Sequence, residues 1–312
     1  MKRARIPLAG VALACTLLTA HAQTPAPTTP GAPAAAPAAA PARPAIQTTK
    51  VPGTNNVYVF RNGGHQAMFV VTDAGVIATD PVAYGRPMGG QQYVDEIRKV
   101  TNKPIKYLIY SHHHYDHIAG GKAFKDAGAT VVAHRRAAER LKQLNDPHTV
   151  LPDEIVEDSG RVIRLGGTIL ELSYHGLNHS DSTLVMRLPQ ERTVFIVDTI
   201  PVGTFPARGL IDFHPLETET FIEKVLAMEW DILIPGHPGP GDRLGTKHDV
   251  SQQLQLLRDA SAAMKPLAQS GKCWDAAEKE VTLDKYKDLP GYNPASVLMV
   301  VRRYCGLWGR GT

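Results

Sequence analysis

Residues 111–121, SHHHYDHIAGG, follow the apolar run IKYLIY and place four histidines and one aspartate within six positions. Imidazole nitrogens and carboxylate oxygens are natural ligands of zinc and similar cations, so this cluster predicts a metal site rather than a packing requirement. In the pattern H-x-H-x-D-H, His112 and His114 project to one side of an extended segment. Asp116 and His117 turn toward a second position, so the segment predicts ligands for two ions.

Three more candidate ligands lie at the ends of apolar runs. His179 lies in HGLNHSDSTLVM, in a loop between two predicted strands, where the sequence leaves His175 open as an alternative. Asp198 directly follows VFIV, and His237 ends DILIPGH. A carboxylate at the end of a buried strand needs a partner, and a metal ion would supply one. His113 faces away from this set, which favours a structural or outer role.

Short β-rich runs alternate with helical segments along the chain. Apolar residues three and four apart predict helices over 90–101, 133–144 and 217–230, and the pattern is mostly helical after residue 247. Because strands dominate both halves, an α/β fold of two sheets covered by helices fits better than one parallel sheet. Strands are predicted at 57–61, 67–72, 75–80, 105–110, 130–134, 160–165, 168–175, 182–188, 193–199 and 231–237.

Composition divides the chain into four parts. Residues 1–22 have three basic residues, a short apolar stretch and an A-x-A site, the layout of a cleavable signal peptide rather than a membrane span. Residues 23–46 are rich in Pro and Ala and are predicted to be an extended linker. We expect the main domain over 47–246, with a helical C-terminal extension over 247–312 packed on it.

Charge and cysteine content bear on partners and location. The formal net charge of +4 falls to +1 without Lys2, Arg3 and Arg5 of the predicted signal, which gives no electrostatic basis for binding nucleic acid. After cleavage the remaining cysteines are Cys273 and Cys305, which we expect to form a disulfide in an oxidising compartment. The predicted location is periplasmic or secreted, with no membrane span after cleavage and a small-molecule substrate.

The ordered motifs SHHHYDHIAGG, NHSDST, FIVDT and IPGH resemble those of the metallo-β-lactamase superfamily, over about residues 50 to 245. The resemblance implies an αβ/βα four-layer sandwich with two Zn²⁺ ions at one edge, although Fe, Mn or other divalent ions are alternatives. It assigns His112, His114 and His179 to one ion. It assigns Asp116, His117 and His237 to the other, with Asp198 bridging both.

The resemblance also implies a reaction. A zinc-bound water has a pKa near ~7, so a hydroxide held between the ions would attack the carbonyl of an ester, lactone, thioester or cyclic amide. Asp116 would be the catalytic residue that orients this nucleophile and carries its proton. Asp198 resembles the bridging residue of glyoxalase II, lactonases and general hydrolases, whereas true β-lactamases generally lack it. β-Lactam cleavage is therefore an alternative rather than the first expectation.

Two other functions stay open. Some relatives bind one iron through three ligands, which would be His112, His179 and Asp198 here, and oxidise persulfides. A catalytically inactive binding module would show eroded ligands, and none of the seven is missing.

The loop after Asp198, residues 201–215, is a candidate wall of the substrate pocket. Its Phe205, Arg208 and Phe213 are predicted to contact substrate, with Tyr115 on the opposite side.

Overall fold

The structure, a computed structural model, describes residues 45–206, 212–273 and 276–308. The strands are β1 (Ile46–Lys50), β2 (Val57–Asn62), β3 (His65–Thr72), β4 (Gly75–Thr79), β5 (Ile105–Ile109), β6 (Thr130–His134), β7 (Glu154–Val156), β8 (Arg161–Leu165), β9 (Thr168–Tyr174), β10 (Leu184–Leu188), β11 (Thr193–Ile196) and β12 (Ile232–Pro235). The helices are α1 (Gly89–Val100), α2 (Tyr115–Ile118), α3 (Gly121–Asp126), α4 (Arg135–Leu144), α5 (Pro215–Ala227), α6 (Lys247–Gln269), α7 (Ala277–Glu280) and α8 (Pro294–Trp308).

The strands form two sheets. The first has the order β1-β2-β3-β4-β5-β6-β7 and is antiparallel from β1 to β4 and parallel from β4 to β7. The second has the order β12-β11-β10-β9-β8, in which the β11–β12 pair is parallel and the other pairs are antiparallel. Parallel neighbours end at the same edge of a sheet, so the loops after β4 and β5, and those after β11 and β12, are brought together in pairs.

Both faces of each sheet are buried, which produces the four-layer αβ/βα sandwich. In β3, Phe69 belongs to the core under the helices, where its ring lies 6.1 Å from that of Tyr93 in α1. The next residues on either side, Met68 and Val70, belong to the core between the sheets, which also contains Phe195 of the second sheet. This alternation follows from strand geometry, and burial on both faces explains why the strands read as nearly continuous apolar runs.

The helices after residue 214 cover the outer face of the second sheet. Trp230, Leu257 and Tyr304 are fully buried there, and burying an apolar side chain of this size stabilises the fold by roughly 1.5–3 kcal/mol. Helix α6 begins at Lys247 because Thr246 and Asp249 form a capping box.

Cys273 and Cys305 form the predicted disulfide, which links the segment after α6 to α8. Within the described ranges, every helix is too short or too polar to cross a lipid bilayer.

The ten predicted strands are all present, and two strands escaped prediction. β1 begins at Ile46, the last residue of the predicted linker, and β7 has only three residues. Neither has a local apolar pattern, because each is an edge strand that depends on pairing with its neighbour. β11 ends at Ile196 rather than at residue 199, because the backbone turns at Asp198.

Candidate metal centre

The predicted ligands meet at one edge of the sandwich. His112 and His114 lie in the loop after β5, and His179 lies between β9 and β10. Asp198 and His237 follow the parallel neighbours β11 and β12, which places His237 Nε2 3.1 Å from Asp198 Oδ1. The sheet topology therefore joins residues that are separated by more than a hundred positions in the chain.

The first group consists of His112, His114, His179 and Asp198, whose ligand atoms all lie within 4.8 Å of one another. His179 Nε2 lies 2.9 Å from His114 Nδ1 and 3.5 Å from Asp198 Oδ2. His112 Nε2 lies 3.8 Å from the same carboxylate oxygen. Around a tetrahedral zinc, ligand atoms at the usual bond lengths are about 3.3 Å apart, so these separations suit one cation.

The second group consists of His65, Asp116, His117 and His237, again within 4.8 Å of one another. His117 Nε2 lies 3.4 Å from Asp116 Oδ2 and 3.0 Å from Asp198 Oδ2. Asp198 thus has one oxygen beside His237 and the other beside His117 and the first group. The Asp198 carboxylate therefore lies between the two groups.

Hydrogen bonds on the outer side of the rings orient their inner nitrogens. His237 Nδ1 donates to the carbonyl oxygen of Gly64 at 2.6 Å, and His114 Nε2 donates to Asp212 Oδ2 at 2.7 Å. A neutral imidazole carries a proton on only one ring nitrogen. In His237 and His114 the nitrogen that does not donate is therefore unprotonated, and it faces the site. His112 Nε2 is buried without a hydrogen-bond partner among the described residues. The two groups therefore fit the binding of a divalent metal.

Burial and charge set the protonation of the histidines. Burial lowers the pKa of His179 to about 4 and that of His112 well below its ordinary value. Burial would also lower the pKa of His117, but the carboxylates of Asp198, Asp80 and Asp116 together outweigh it and raise this pKa to about 9. Burial raises the pKa of Asp80 to about 6, opposed by nearby His117. In the protein without metal, one proton is therefore held between His117 and Asp198.

The backbone at Asp198 is strained. Its φ of 60° lies in the left-handed region, which costs a residue other than glycine of order 1–3 kcal/mol. Thr199 next to it donates from Oγ1 to Asn178 Oδ1 at 3.0 Å. A Cβ at Gly236 would lie 3.1 Å from Asp198 Oδ1 and 2.5 Å from Val197 Cγ1, so only glycine fits beside the carboxylate.

A cavity of about 780 Å³ opens onto both groups. Tyr115 and Phe213, two of the predicted substrate contacts, line it. The ring of Tyr115 meets that of Tyr84 edge to face at 5.7 Å, which makes an aromatic rim. The lining residues that the structure describes include no Lys or Arg. Its apolar part includes Tyr84, Tyr115, Ile200, Val202, Pro206 and Phe213.

Phe205 and Arg208, the other two predicted substrate contacts, are not among the lining residues that the structure describes. The prediction for Phe205 is wrong: the side chain is fully buried and packs edge to face against Tyr292, because the loop after β11 turns it into the core under the C-terminal helices. Arg208 lies outside the described residues.

The structure also places the two histidines whose roles the sequence left open. His175 lies outside both groups and contacts Ser173 Oγ at 2.9 Å through Nε2, so the geometry favours His179. His113 belongs to neither group, and its Nδ1 lies 2.9 Å from Ser182 Oγ and 3.1 Å from Ser180 Oγ.

Sequence reasoning missed three residues at the centre. Asp80 directly follows β4 and lies 3.9 Å from His117 Nδ1, so the strand-end signal that identified Asp198 could have found it. His65 begins β3, and a single histidine has no ligand spacing. Asp212 lies in a loop without a recognisable pattern.

Residues 52–241 match the family model of the metallo-beta-lactamase superfamily, which is more than half of the chain. The chain belongs to the metallo-beta-lactamase superfamily. This membership confirms the predicted recognition, the fold class and the class of protein, a metal-dependent hydrolase.

Curated relatives of the chain carry the names of different enzymes. The chain is 26% identical over 248 residues to the 2,4-dinitroanisole O-demethylase subunit alpha of Nocardioides sp., covering 79% of this chain and 70% of the relative. It is 27% identical over 156 residues to a type 2 metallo-beta-lactamase of Bacillus cereus, covering 49% of this chain and 59% of that enzyme. A linear primary-alkylsulfatase of Pseudomonas sp. is 24% identical over 213 residues, covering 54% of this chain and 40% of the sulfatase.

Solved structures share the fold at low identity. The metallo-beta-lactamase from Pontibacter korlensis superposes with a TM-score of 0.59 at 20% identity, covering 69% of this chain and 99% of that one. The inverting sec-alkylsulfatase Pisa1 from Pseudomonas sp. superposes with a TM-score of 0.69 at 16% identity, covering 85% of this chain and 51% of that one.

Proposed function

We propose that this protein is an exported hydrolase that binds two divalent cations, with zinc as the expected metal, and cleaves a carbonyl compound such as an ester, lactone, thioester or cyclic amide. The observation that carries the proposal is the pair of four-residue groups on either side of Asp198. A hydrolase that used one cation would need only one of these groups.

Two divalent cations bound here would lower the pKa of a water molecule toward neutrality and polarise the carbonyl oxygen of the substrate. Asp198 supplies a shared negative charge between the two positions. Asp116 borders the cavity, and although burial would raise its pKa, the hydrogen bond from His65 keeps the pKa below its usual range. Asp116 is therefore an ionised carboxylate at neutral pH, able to orient the attacking water and accept its proton.

The cavity supports an uncharged, partly apolar substrate. Its aromatic rim and apolar wall can bury an alkyl or aryl group beside the cations, and Tyr115 and Phe213 are the proposed contacts. Cephalosporins, carbapenems and penicillins stay in the test as the β-lactam alternative.

A second candidate reaction is cleavage of an aryl ether, favoured by the similarity to the O-demethylase subunit over most of this chain. A panel of lactones, aryl esters, thioesters, β-lactams, 2,4-dinitroanisole and a primary alkyl sulfate would rank these substrates by kcat/KM. We expect the carbonyl compounds to rank first.

The remaining alternative is a one-iron enzyme that oxidises persulfides through His112, His179 and Asp198. Replacing His237 separates the two functions, because it removes a ligand from the second group and leaves that set of three untouched. We expect about two zinc ions per chain in the purified protein and loss of hydrolysis in His237→Ala. One iron per chain, with persulfide-dependent oxygen uptake that survives His237→Ala, would instead establish the oxidase.

Export is supported by the disulfide and by the predicted signal peptide at residues 1–22, which lies outside the described residues. Mass spectrometry of the protein recovered from the periplasm or medium should show an N-terminus at Gln23.

A further inference from the structure

His65 lies beside the second group but belongs to none of the motifs in the sequence. It is the first residue of β3, and hydrogen bonds between the first sheet and the loop after β12 hold it in place. Its neighbour Gln66 donates from its backbone N–H to Gly236 O and from Nε2 to Pro235 O, both at 2.8 Å. The start of β3 is therefore fixed against the segment that carries His237.

The ring of His65 faces the same point as the other members of this group. Its Nε2 lies 3.2 Å from Asp116 Oδ2, the oxygen that also lies 3.4 Å from His117 Nε2. Both separations are in the range of about 3 to 3.5 Å that is expected between atoms bound to one cation at about 2.0–2.2 Å.

The separations between the histidine rings can be compared in the two groups. In the first group, His112, His114 and His179 have ring centroids 4.5, 4.7 and 5.3 Å apart. His65 has its centroid 4.6 Å from His237 and 5.4 Å from His117. The third pair of that group, His117 and His237, is 5.2 Å apart. Each of the two groups thus contains three histidines with similar ring separations, 4.5–5.3 Å in the first and 4.6–5.4 Å in the second.

We propose that His65 is a protein ligand of the second cation, together with Asp116, His117 and His237. The proposal rests on the proposed two-cation function. It gives the second position three imidazoles and a carboxylate of its own, in addition to the shared Asp198, so the second cation would have more protein ligands than the first.

The competing role for His65 is a hydrogen bond alone, with Nε2–H donated to Asp116 Oδ2. The two roles differ in what a glutamine can replace. The amide of Gln can donate a hydrogen bond to Asp116, but it is a much weaker ligand for zinc or cobalt than an imidazole. His65→Gln would therefore preserve the competing role and remove the proposed one.

The experiment loads the metal-free mature protein with Co²⁺ against a chelator of known affinity, for wild type, His65→Ala, His65→Gln and the control His175→Ala. We expect two Co²⁺ per wild-type chain. In both His65 variants the affinity of the second position for Co²⁺ should fall by more than ~10- to 100-fold. That range is the loss expected when the replaced residue only hydrogen-bonds to a metal ligand. The affinity of the first position should be unchanged, which also shows that the fold is intact. The control His175→Ala should match wild type at both positions.

Proton NMR of the Co²⁺-loaded protein gives a readout independent of affinity. Each ligating histidine contributes one strongly shifted, solvent-exchangeable ring N–H signal, and His65→Gln should lose one of them. Wild-type affinity in His65→Gln, or an unchanged set of shifted signals, would overturn the proposal while leaving the two-cation function intact. A single Co²⁺ per wild-type chain would overturn both.

Discussion

The two ligand groups of the metal centre differ in burial although they contain the same kinds of residue. In the first, the side chains of His112 and His179 are 0% and 7% exposed. In the second, those of Asp116 and His237 are 35% and 46% exposed at the cavity. Burial keeps the His112 and His179 side chains neutral before any cation binds, whereas His117 of the second group holds a proton because nearby carboxylates raise its pKa. The first position is therefore ready for a cation, and the second must release a proton.

The two carboxylate oxygens of Asp198 lie beside residues of both groups, so its loss should weaken both cation positions. In Asp198→Ala each cation loses a ligand and their common negative charge, and hydrolysis should fall roughly 1,000-fold or more. Metal analysis should show depletion of both positions. Asp158→Ala, which removes a half-exposed carboxylate paired with Arg136, is the matched control. Full metal content and near-normal turnover in Asp198→Ala would contradict the bridging assignment.

A change far from the metal centre should lower the stability of the fold and leave both cation affinities unchanged. Replacing Cys273 and Cys305 together by Ala removes a link across 32 residues, which in the chain-entropy model lowers the free energy of unfolding by about 3–4 kcal/mol. Denaturant unfolding would measure this loss, and both cation affinities should stay at wild-type values at 25 °C. A selective loss at one position would mean that the C-terminal helices contribute to the centre directly.

One carboxylate outside each group lies near a histidine of that group. Replacing it should weaken the cation affinity of that position more than the affinity of the other. Asp212 accepts from His114 Nε2 at 2.7 Å, so Asp212→Ala should weaken the first affinity by roughly 10- to 100-fold. Asp80 lies 3.9 Å from His117 Nδ1, and Asp80→Asn should weaken the second affinity by a smaller factor. Chelator competition on both variants tests the assignment, which fails if either substitution weakens the opposite position more.

The two affinities should also respond differently to pH. His179 has its pKa lowered to about 4, so it is already neutral at pH 6.5 and the first affinity should change little up to pH 8. His117 has its pKa raised to about 9, so a cation must displace its proton, and the second affinity should rise roughly 10-fold per pH unit. Titrations in metal buffers at pH 6.5, 7.2 and 8.0 would show it. Parallel pH profiles would contradict the difference in protonation.

The same proton affects the metal-free protein. Because the pKa of His117 is raised on folding, its contribution to stability is complete below its ordinary value of 6.5 and is lost as the pH rises through about 9. Unfolding of the metal-free protein should therefore require less denaturant at pH 9 than at pH 6.5.

Local patterns predicted most of the fold. The ten predicted strands and three predicted helices are present because their apolar residues repeat with the period of the element that they form. β1 and β7 were missed because an edge strand is stabilised by its neighbour. Phe205 was misjudged because a loop phenylalanine can face either the cavity or the core, and only the packing of the C-terminal helices against it decides between them.

The sequence by itself determined the seven predicted ligands and their order, because each lies in a segment that directly follows an apolar strand or separates two of them. Only the tertiary structure shows that His65, Asp80 and Asp212 lie beside them. His65 and His237 are brought together by Gln66, which hydrogen-bonds to Gly236 and thus connects two sheets across 170 positions of the chain. Such contacts depend on how the two sheets pack, and the periodicity of a single segment contains no information about the partner against which it will lie.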